Sequence, residues 1–235
     1  MKESVPDVIV HRLPMYAHIL SALRDVGVES IGSKELGAML RTSPAQVRKD
    51  LSYFGRFGKQ GMGYDVAKLS EELCGVLGLG RQWSVALVGT GRLGRALMEH
   101  KGFLHKKFVV VAAFDKSPKR VGKKLAGLTI QDISELESTV KEKGIEIGVV
   151  AVPPDQAQQV IDALVRSGAK GILNYAPIVA RVPKGVQLRQ IIPLHSLQSM
   201  TYYLKSLYPQ SEYKLECRTA LEEESPKIHK ATGSI

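Results

Sequence analysis

The 235-residue sequence has only two cysteines, Cys74 and Cys217, which lie far apart and lack the spacing of a metal site. The sequence leaves a bridge between them open, although we expect a reducing cytoplasm and an unreactive, buried Cys74. No apolar run approaches the roughly 18 residues that a membrane span needs, and residues 1–4 lack the apolar core of a signal peptide. These absences predict a cytoplasmic globular protein without a membrane partner.

A recognisable catalytic site is also missing. Tyr64 and Lys68 have the spacing of a dehydrogenase pair, but they precede the nucleotide-binding motif described below, whereas the dehydrogenase pair follows it. His100, His105 and His195 belong to no triad and to no metal motif. We therefore predict no catalytic residue and no metal ligand, and we favour a binding protein over an enzyme.

Positive charge is what the sequence has in excess, with a formal net charge of +10 at pH 7. Such a charge fits a polyanionic partner, although many basic proteins bind none. Within residues 41–59, Asp50 is the one acidic side chain. The basic residues of that segment are Arg41, Arg48, Lys49, Arg56 and Lys59.

Three helices are predicted before Gly55. The first spans residues 14–26 with Pro14 in its first turn, and the second spans residues 34–40 with Ser33 as its N-cap. The third has the strongest start signal in the chain, which is an N-cap, a proline and a capping-box glutamine: Ser43, Pro44 and Gln46. Its apolar stripe at helical spacing is Val47, Leu51 and Phe54.

Polar side chains occupy the other faces of the third helix, as a recognition helix in the major groove requires. Arg48 can pair with guanine or phosphate, and Gln46 can pair with adenine. The other residues of this helix that we assign to DNA are Ser43, Lys49 and Ser52. A solvated basic face is the alternative interpretation.

Three glycines between residues 57 and 64 suit a tight hairpin directly after the third helix, which is the position of a wing. Arg56 and Lys59 of this segment can reach phosphates or the minor groove. A plain glycine-rich loop is the alternative. Together with a fourth helix over residues 66–79, the pattern predicts a winged helix-turn-helix domain over residues 1–80.

A dinucleotide fingerprint follows this domain. Residues 83–88 predict an apolar strand, and a helix can run over residues 93–100. The glycine pattern between them permits a tight turn, and the free amides of the helix N-terminus can bind a diphosphate. The residues of the fingerprint are Gly89, Thr90, Gly91, Arg92, Leu93 and Gly94.

Asp115 follows a second predicted strand, residues 108–114, at the place where an acid should bind the hydroxyls of the adenine ribose. This acid favours NAD over its 2′-phosphorylated relative by repulsion. Lys116, Lys119 and Arg120 come directly after it and make that preference moderate. We assign Asp115 and Lys116 to the cofactor.

Further strands are predicted over residues 145–152 and 171–173, with a helix from Pro153 to about Ser167 between them. This alternation predicts an α/β fold with a doubly wound, Rossmann-type parallel sheet over residues 81–192. Ligands bind at the carboxyl ends of such strands. The residues predicted to surround the nicotinamide are Ala151, Val152, Pro153, Asn174, Tyr175, Ala176 and Pro177.

After a strand over residues 186–192, a last helix is predicted over about residues 195–207. Its apolar face has to be covered, either by a partner subunit or by the sheet of its own domain. That face carries Leu197, Met200, Leu204, Tyr202 and Tyr203. The tail, residues 210–235, has little periodicity, and we predict that it is disordered.

Several segments together resemble Rex, the bacterial redox-sensing transcriptional repressors. The resemblance covers nearly all of residues 6–207 and implies a homodimer of winged-helix and Rossmann subunits that exchange their last helix, residues 193–209. It also implies that NADH releases the dimer from a palindromic DNA operator, whereas NAD binds more weakly and permits DNA binding. The matching segments are residues 12–14, 47–55, 57–64, 89–94, 113–115, 171–177 and 197–199.

The resemblance also concerns Arg12, which we count among the DNA-binding residues. In the family, the matching arginine makes a redox-dependent contact with an aspartate at the start of the exchanged helix. This chain has Ile192 at that place, and it has His100 where the family commonly has tyrosine or phenylalanine. These departures concern the redox response rather than the fold.

Two other functions stay open. One is an NAD-dependent dehydrogenase with an accessory domain, against which the missing acid–base site and the wing argue. The other is a repressor that responds to a different nucleotide, such as coenzyme A.

Overall fold

The computed structural model describes residues 5–55, 57–59, 63–100 and 107–207. The chain divides into two compact units between Gln82 and Trp83, two residues beyond the boundary that the sequence predicted. The predictions made for Arg56, His105, Cys217 and the tail lie outside the described residues, as does the one made for the side chain of Lys59. In the described part, no helix is both long and apolar enough to cross a membrane.

The first unit is a winged helix. Its three short strands form an antiparallel sheet in the order β1, β3, β2, and the hairpin of β2 and β3 follows the third helix as a wing should. The elements are α1 (Asp7–Asp25), β1 (Ser30–Ile31), α2 (Ser33–Met39), α3 (Pro44–Ser52), β2 (Gly58–Lys59), β3 (Gly63–Asp65) and α4 (Val66–Val76).

Helix α1 begins seven residues before its predicted start, so Pro14 lies inside the helix rather than in its first turn. A proline inside a helix costs about 3 kcal/mol because its N–H is missing and its ring crowds the preceding turn. Here the early turns bury Ile9 and Leu13, and each such burial contributes about 1.5–3 kcal/mol. The buried stripe of α1 continues through Tyr16 and Leu20.

The N-cap of α2 is Gly32, not Ser33 as predicted. The side chain of Glu35 explains the difference, because it accepts a hydrogen bond from the Gly32 N–H at 2.9 Å and so begins the helix one residue earlier. Helix α4 also differs from its prediction. It ends at Val76, three residues before its predicted end, and Val76 is 43% exposed.

Helix α3 starts as predicted, with Ser43 Oγ accepting from the Gln46 N–H at 3.1 Å. The predicted capping box is wrong, because the Gln46 side chain donates to Asp50 and does not accept from the backbone N–H of Ser43. The helix ends at Ser52, before Gly55. Val47 and Leu51 are buried against α1, α2 and α4 residues in one apolar core, and Phe54 packs at its edge.

The second unit is a seven-stranded sheet flanked by helices. Five neighbouring strand pairs are parallel, and only β6 and β7 pair antiparallel. The strand order is β10, β9, β8, β4, β5, β7, β6. The elements are β4 (Trp83–Val88), α5 (Arg92–Glu99), β5 (Phe108–Asp115), β6 (Lys124–Leu125), β7 (Leu128–Asp132), α6 (Leu136–Glu142), β8 (Ile147–Val150), α7 (Pro154–Arg166), β9 (Gly171–Asn174), β10 (Gln187–Gln190) and α8 (Pro193–Leu204).

This order is that of the doubly wound dinucleotide-binding fold, and the direction of winding reverses between β4 and β8. The loops at the carboxyl ends of these two strands therefore form a crevice. The sequence predicted a strand over residues 145–152, but β8 ends at Val150. Ala151 and Val152 therefore belong to the crevice loop after the strand.

None of the residues that the structure describes covers helix α8. All of its residues are exposed, including Leu197 (59%), Met200 (54%) and Tyr203 (73%). The interpretation in which its own sheet covers the apolar face is therefore wrong for this chain. The helix also begins two residues earlier than predicted, with Ile192 as its N-cap.

Candidate dinucleotide site and DNA-binding face

The fingerprint forms a tight turn from β4 into α5, and its glycines serve three different purposes. Gly89 has a φ of +94°, and a Cβ there would lie 2.4 Å from the carbonyl oxygen of Ala151. A Cβ on Gly94 would lie 1.9 Å from the carbonyl oxygen of Gly89, so helix and turn touch here. A Cβ on Gly91 would have no neighbour within 4 Å, so the backbone here is open to a ligand.

A cavity of about 790 Å³ lies at this turn, in the size range of a cofactor site. The N-terminal turn of α5 faces it and offers free amides of partial positive charge. The predicted site residues that line it are Gly89, Gly91, Arg92, Leu93, Asp115, Lys116, Ala151, Val152 and Pro153. The described residues contain no cluster of metal-ligating side chains.

Asp115 ends β5 at the cavity wall and is 3% exposed. Its Oδ2 accepts from the backbone N–H and the hydroxyl of Thr90, both at 2.8 Å, and its Oδ1 accepts from the N–H of Ser117 at 2.9 Å. Arg120 Nη1 donates to both oxygens, at 3.0 and 3.2 Å. Burial alone would raise the pKa of Asp115, but these hydrogen bonds outweigh it and hold the pKa below its usual value.

Six predicted cofactor residues do not line the cavity, namely Thr90, Gly94, Asn174, Tyr175, Ala176 and Pro177. Thr90 is fully buried, and both of its donors go to Asp115. Asn174 is also fully buried. Its amide donates to the Ala176 carbonyl and accepts from the Ala176 N–H, both at 3.0 Å, so it shapes the loop after β9.

Sequence reasoning missed the wall that α7 supplies. Gln156, Gln159 and Val160 line the cavity on one face of that helix. Their position in the sequence could have indicated this wall. Helix α7 begins just after the carboxyl end of β8, and the three residues have the spacing of one helix face. Arg120 and Ser117, just after β5, were also not assigned to the site.

On the first unit, the exposed face of α3 carries the side chains predicted to contact DNA. Arg48, Lys49 and Ser52 are exposed, and Gln46 is half-buried. Arg48 Nη1 donates to Ser33 Oγ at 2.9 Å, which holds the guanidinium between α2 and α3. Ser52 Oγ donates to the carbonyl of Lys49 at 2.7 Å.

Behind this face, Asp50 forms a buried junction of α1 with α3. Its side chain is fully buried and accepts from Arg12 Nε at 2.7 Å, Arg12 Nη2 at 2.6 Å, Tyr16 at 3.0 Å and Gln46 at 2.6 Å. The guanidinium of Arg12, which the sequence assigned to DNA, therefore has a partner within its own unit. Gln46, which the sequence predicted to pair with adenine, uses one N–H of its amide for Asp50.

Known proteins match both units. A family model described as "Putative DNA-binding protein N-terminus" matches residues 4–52, and one described as "CoA binding domain" matches residues 80–178. The redox-sensing transcriptional repressor Rex of Chloroflexus aurantiacus is 49% identical over 199 residues, which are 85% of this chain and 94% of the relative. Rex 1 of Thermotoga maritima is 42% identical over 86% of this chain and 97% of its own length.

Solved structures agree with these relatives. The Rex-family repressor RSP in complex with beta-NAD+ and operator DNA matches at a TM-score of 0.82 and 33% identity, over 95% of this chain and 99% of RSP. RSP in complex with beta-NADH matches at a TM-score of 0.79 and 32% identity, over 86% of this chain and 95% of RSP. The relatives are named as repressors, not as enzymes. The chain belongs to the Rex family of redox-sensing transcriptional repressors.

Proposed function

We propose that this protein is a cytoplasmic repressor that binds a palindromic operator as a homodimer and is released from it by NADH. One observation carries the proposal: a glycine turn opens a cofactor-sized cavity in the same chain that holds a winged helix. The solved complexes of RSP with beta-NADH, and with beta-NAD+ and operator DNA, support both halves of it.

Each part of the dinucleotide has a place in this proposal. The open backbone at Gly91 and the N-terminus of α5 bind the diphosphate. The adenine ribose lies toward Asp115 and Lys116. The nicotinamide lies toward residues 151–153, where its oxidised ring is positively charged and its reduced ring is neutral.

We infer that the exchanged segment is residues 193–209. Truncation after Ile192 should yield monomers or aggregates, because the apolar face of α8 is exposed in the single chain and is too apolar to stay in water. Sedimentation of the truncated chain measures this. A second truncation, after Leu207, keeps the helix and should remain a dimer. A dimer without α8 that still releases DNA on adding NADH would contradict the assignment.

A titration of operator binding tests the function. At fixed salt, binding of a fluorescent operator should persist with NAD and be lost with NADH. Coenzyme A is the third arm, because the matching family model is named for it, and release by coenzyme A alone would favour the alternative repressor. Consumption of NADH with a small carbonyl substrate would favour a dehydrogenase.

Arg48 is expected to contact the operator, since it is exposed on the recognition helix and held toward α2 by Ser33. Arg48→Ala should weaken operator binding by about 1–3 kcal/mol if it reads a base. Lys68→Ala, on α4, removes the same charge from another helix and serves as the control. Equal affinities of the two variants would remove Arg48 from the interface.

A further inference from the structure

The turn between α2 and α3 contains an unusual backbone conformation. Arg41 has a φ of +52°, in the left-handed region where side chains other than those of asparagine and aspartate are strained. Within the described ranges, Ala126 is the only other non-glycine residue with a positive φ. Arginine therefore stands at a position where the backbone favours glycine.

The way in which α2 ends explains why the backbone needs this conformation. The N–H of Thr42 donates to the carbonyl of Gly37 at 2.8 Å, and the N–H of Arg41 donates to the carbonyl of Ala38 at 3.2 Å. These two bonds form a Schellman motif, whose left-handed residue is usually glycine. The chain also crosses α2 closely here, since a Cβ on Gly37 would lie 2.8 Å from the Thr42 carbonyl oxygen. The turn therefore has little room to relax.

The side chain of Arg41 is exposed and brings no compensating contact. None of the residues that the structure describes accepts a hydrogen bond from its guanidinium or forms an ion pair with it. By contrast, the guanidinium of Arg48 donates to Ser33 Oγ. Attraction to the C-terminal dipole of α2 is small at an exposed position. Strain of this kind that no internal contact balances is typical of residues that bind a ligand.

The position of the turn indicates which ligand Arg41 contacts. In a helix-turn-helix, the recognition helix enters the major groove with its N-terminal residues, and the helix before it crosses the sugar–phosphate backbone. Arg41 lies between the two helices, just before the N-cap Ser43 of α3. The one acid of residues 41–59, Asp50, is buried and paired with Arg12. A phosphate would therefore meet an exposed guanidinium, which can bind two of its oxygens.

We propose that Arg41 binds a phosphate of the operator at the edge of the groove that α3 enters, and that this contact offsets the strain of the turn. The proposal rests on the proposed function, because operator DNA is the ligand. A phosphate contact fixes the orientation of the protein on the duplex and carries no sequence information. Arg41 therefore differs in role from Arg48 and Gln46, which can read bases. The free protein bears the strain, and the complex gains the ion pair.

Arg41→Gly tests both parts of the proposal, because it removes the charge and relieves the backbone at once. Without DNA, the variant should unfold at a temperature about 2–6 °C above that of the parent. Its affinity for the operator should nevertheless fall by about threefold to tenfold, and the dependence of log K on log salt should become shallower by about one unit. Arg41→Lys keeps both the charge and the strain, so its salt dependence and its unfolding temperature should equal those of the parent.

Fluorescence anisotropy with the operator, and with a scrambled duplex of equal length, distinguishes a phosphate contact from a base contact. Arg41→Gly should weaken binding to both by the same factor. Arg24→Gln is the matched control, because Arg24 also lies at a helix C-terminus, in the last turn of α1, and its loss should leave the salt dependence unchanged.

Three results would overturn the proposal: a parental salt dependence in Arg41→Gly, a loss of affinity confined to the operator, or an unfolding temperature no higher than that of the parent. If the unmodified protein binds the operator no better than the scrambled duplex, the proposed function itself fails.

Discussion

Gly94→Ala is expected to destabilise the second unit by about 3 kcal/mol or more and to abolish dinucleotide binding. The added Cβ would lie 1.9 Å from the Gly89 carbonyl oxygen and 3.0 Å from its carbon. Both atoms belong to the backbone of the turn, so no side chain can move aside. Either α5 shifts away from β4 or the turn opens, and each change displaces the helix N-terminus from the cavity.

Gly91→Ala is the matched control, because the same methyl group meets nothing within 4 Å and the φ of −67° suits alanine. Its unfolding should equal that of the parent. Its NADH affinity should nevertheless fall by about tenfold or more, since the backbone at this glycine has to approach the diphosphate closely. Denaturant unfolding and NADH titration of both variants measure the two effects. A Gly94→Ala protein as stable as the parent would show that the turn tolerates side chains.

The nucleotide turn could be predicted because its signals are local. A strand, a glycine pattern and a helix follow each other within residues 83–99, and Asp115 marks the end of the next strand. The partner of Asp115 could not be predicted in the same way. Arg120 lies five residues on, and only the fold of the segment after β5 brings its guanidinium back to the carboxylate. The cavity wall that α7 supplies could not be predicted either, because it depends on the order of the strands in the sheet.

The first unit has the same division between local and tertiary signals. The start of α3 was predictable from Ser43 and Pro44, which act within one turn. The start of α1 was not, because Pro14 is a local signal for a helix start that burial of the preceding turns overrides. Asp50 is the clearest case. In the sequence it is one acid among basic residues, whereas in the fold it is the buried acceptor that joins two helices.

Asp50→Ala is expected to destabilise the first unit by about 3 kcal/mol, because removing one partner of a buried pair leaves the other partner unpaired. The cost lies at the lower end of the known range, since the Arg12 side chain is 31% exposed and water can reach it. Tyr16 and Gln46 also lose their acceptor. Operator affinity should fall with stability, because α3 is no longer fixed to α1. Asp25→Ala removes an exposed acid near the end of α1 and should change neither.

Asp50→Asn removes the charge of this side chain and keeps its shape. Comparing the pH dependence of stability in the two proteins therefore isolates the contribution of the charge. Burial alone would raise the pKa of Asp50, but the hydrogen bonds from Arg12, Gln46 and Tyr16 outweigh it and lower the pKa. The unfolded chain therefore binds this proton more readily than the folded one. The stabilisation is complete above the ordinary carboxylate pKa of about 3.9 and is lost as pH falls through the lower folded pKa. Hydrogen exchange of the α1 and α3 amides across the acid range should show a shallower loss of protection in Asp50→Asn, and parallel curves for the two proteins would contradict the role of the carboxylate.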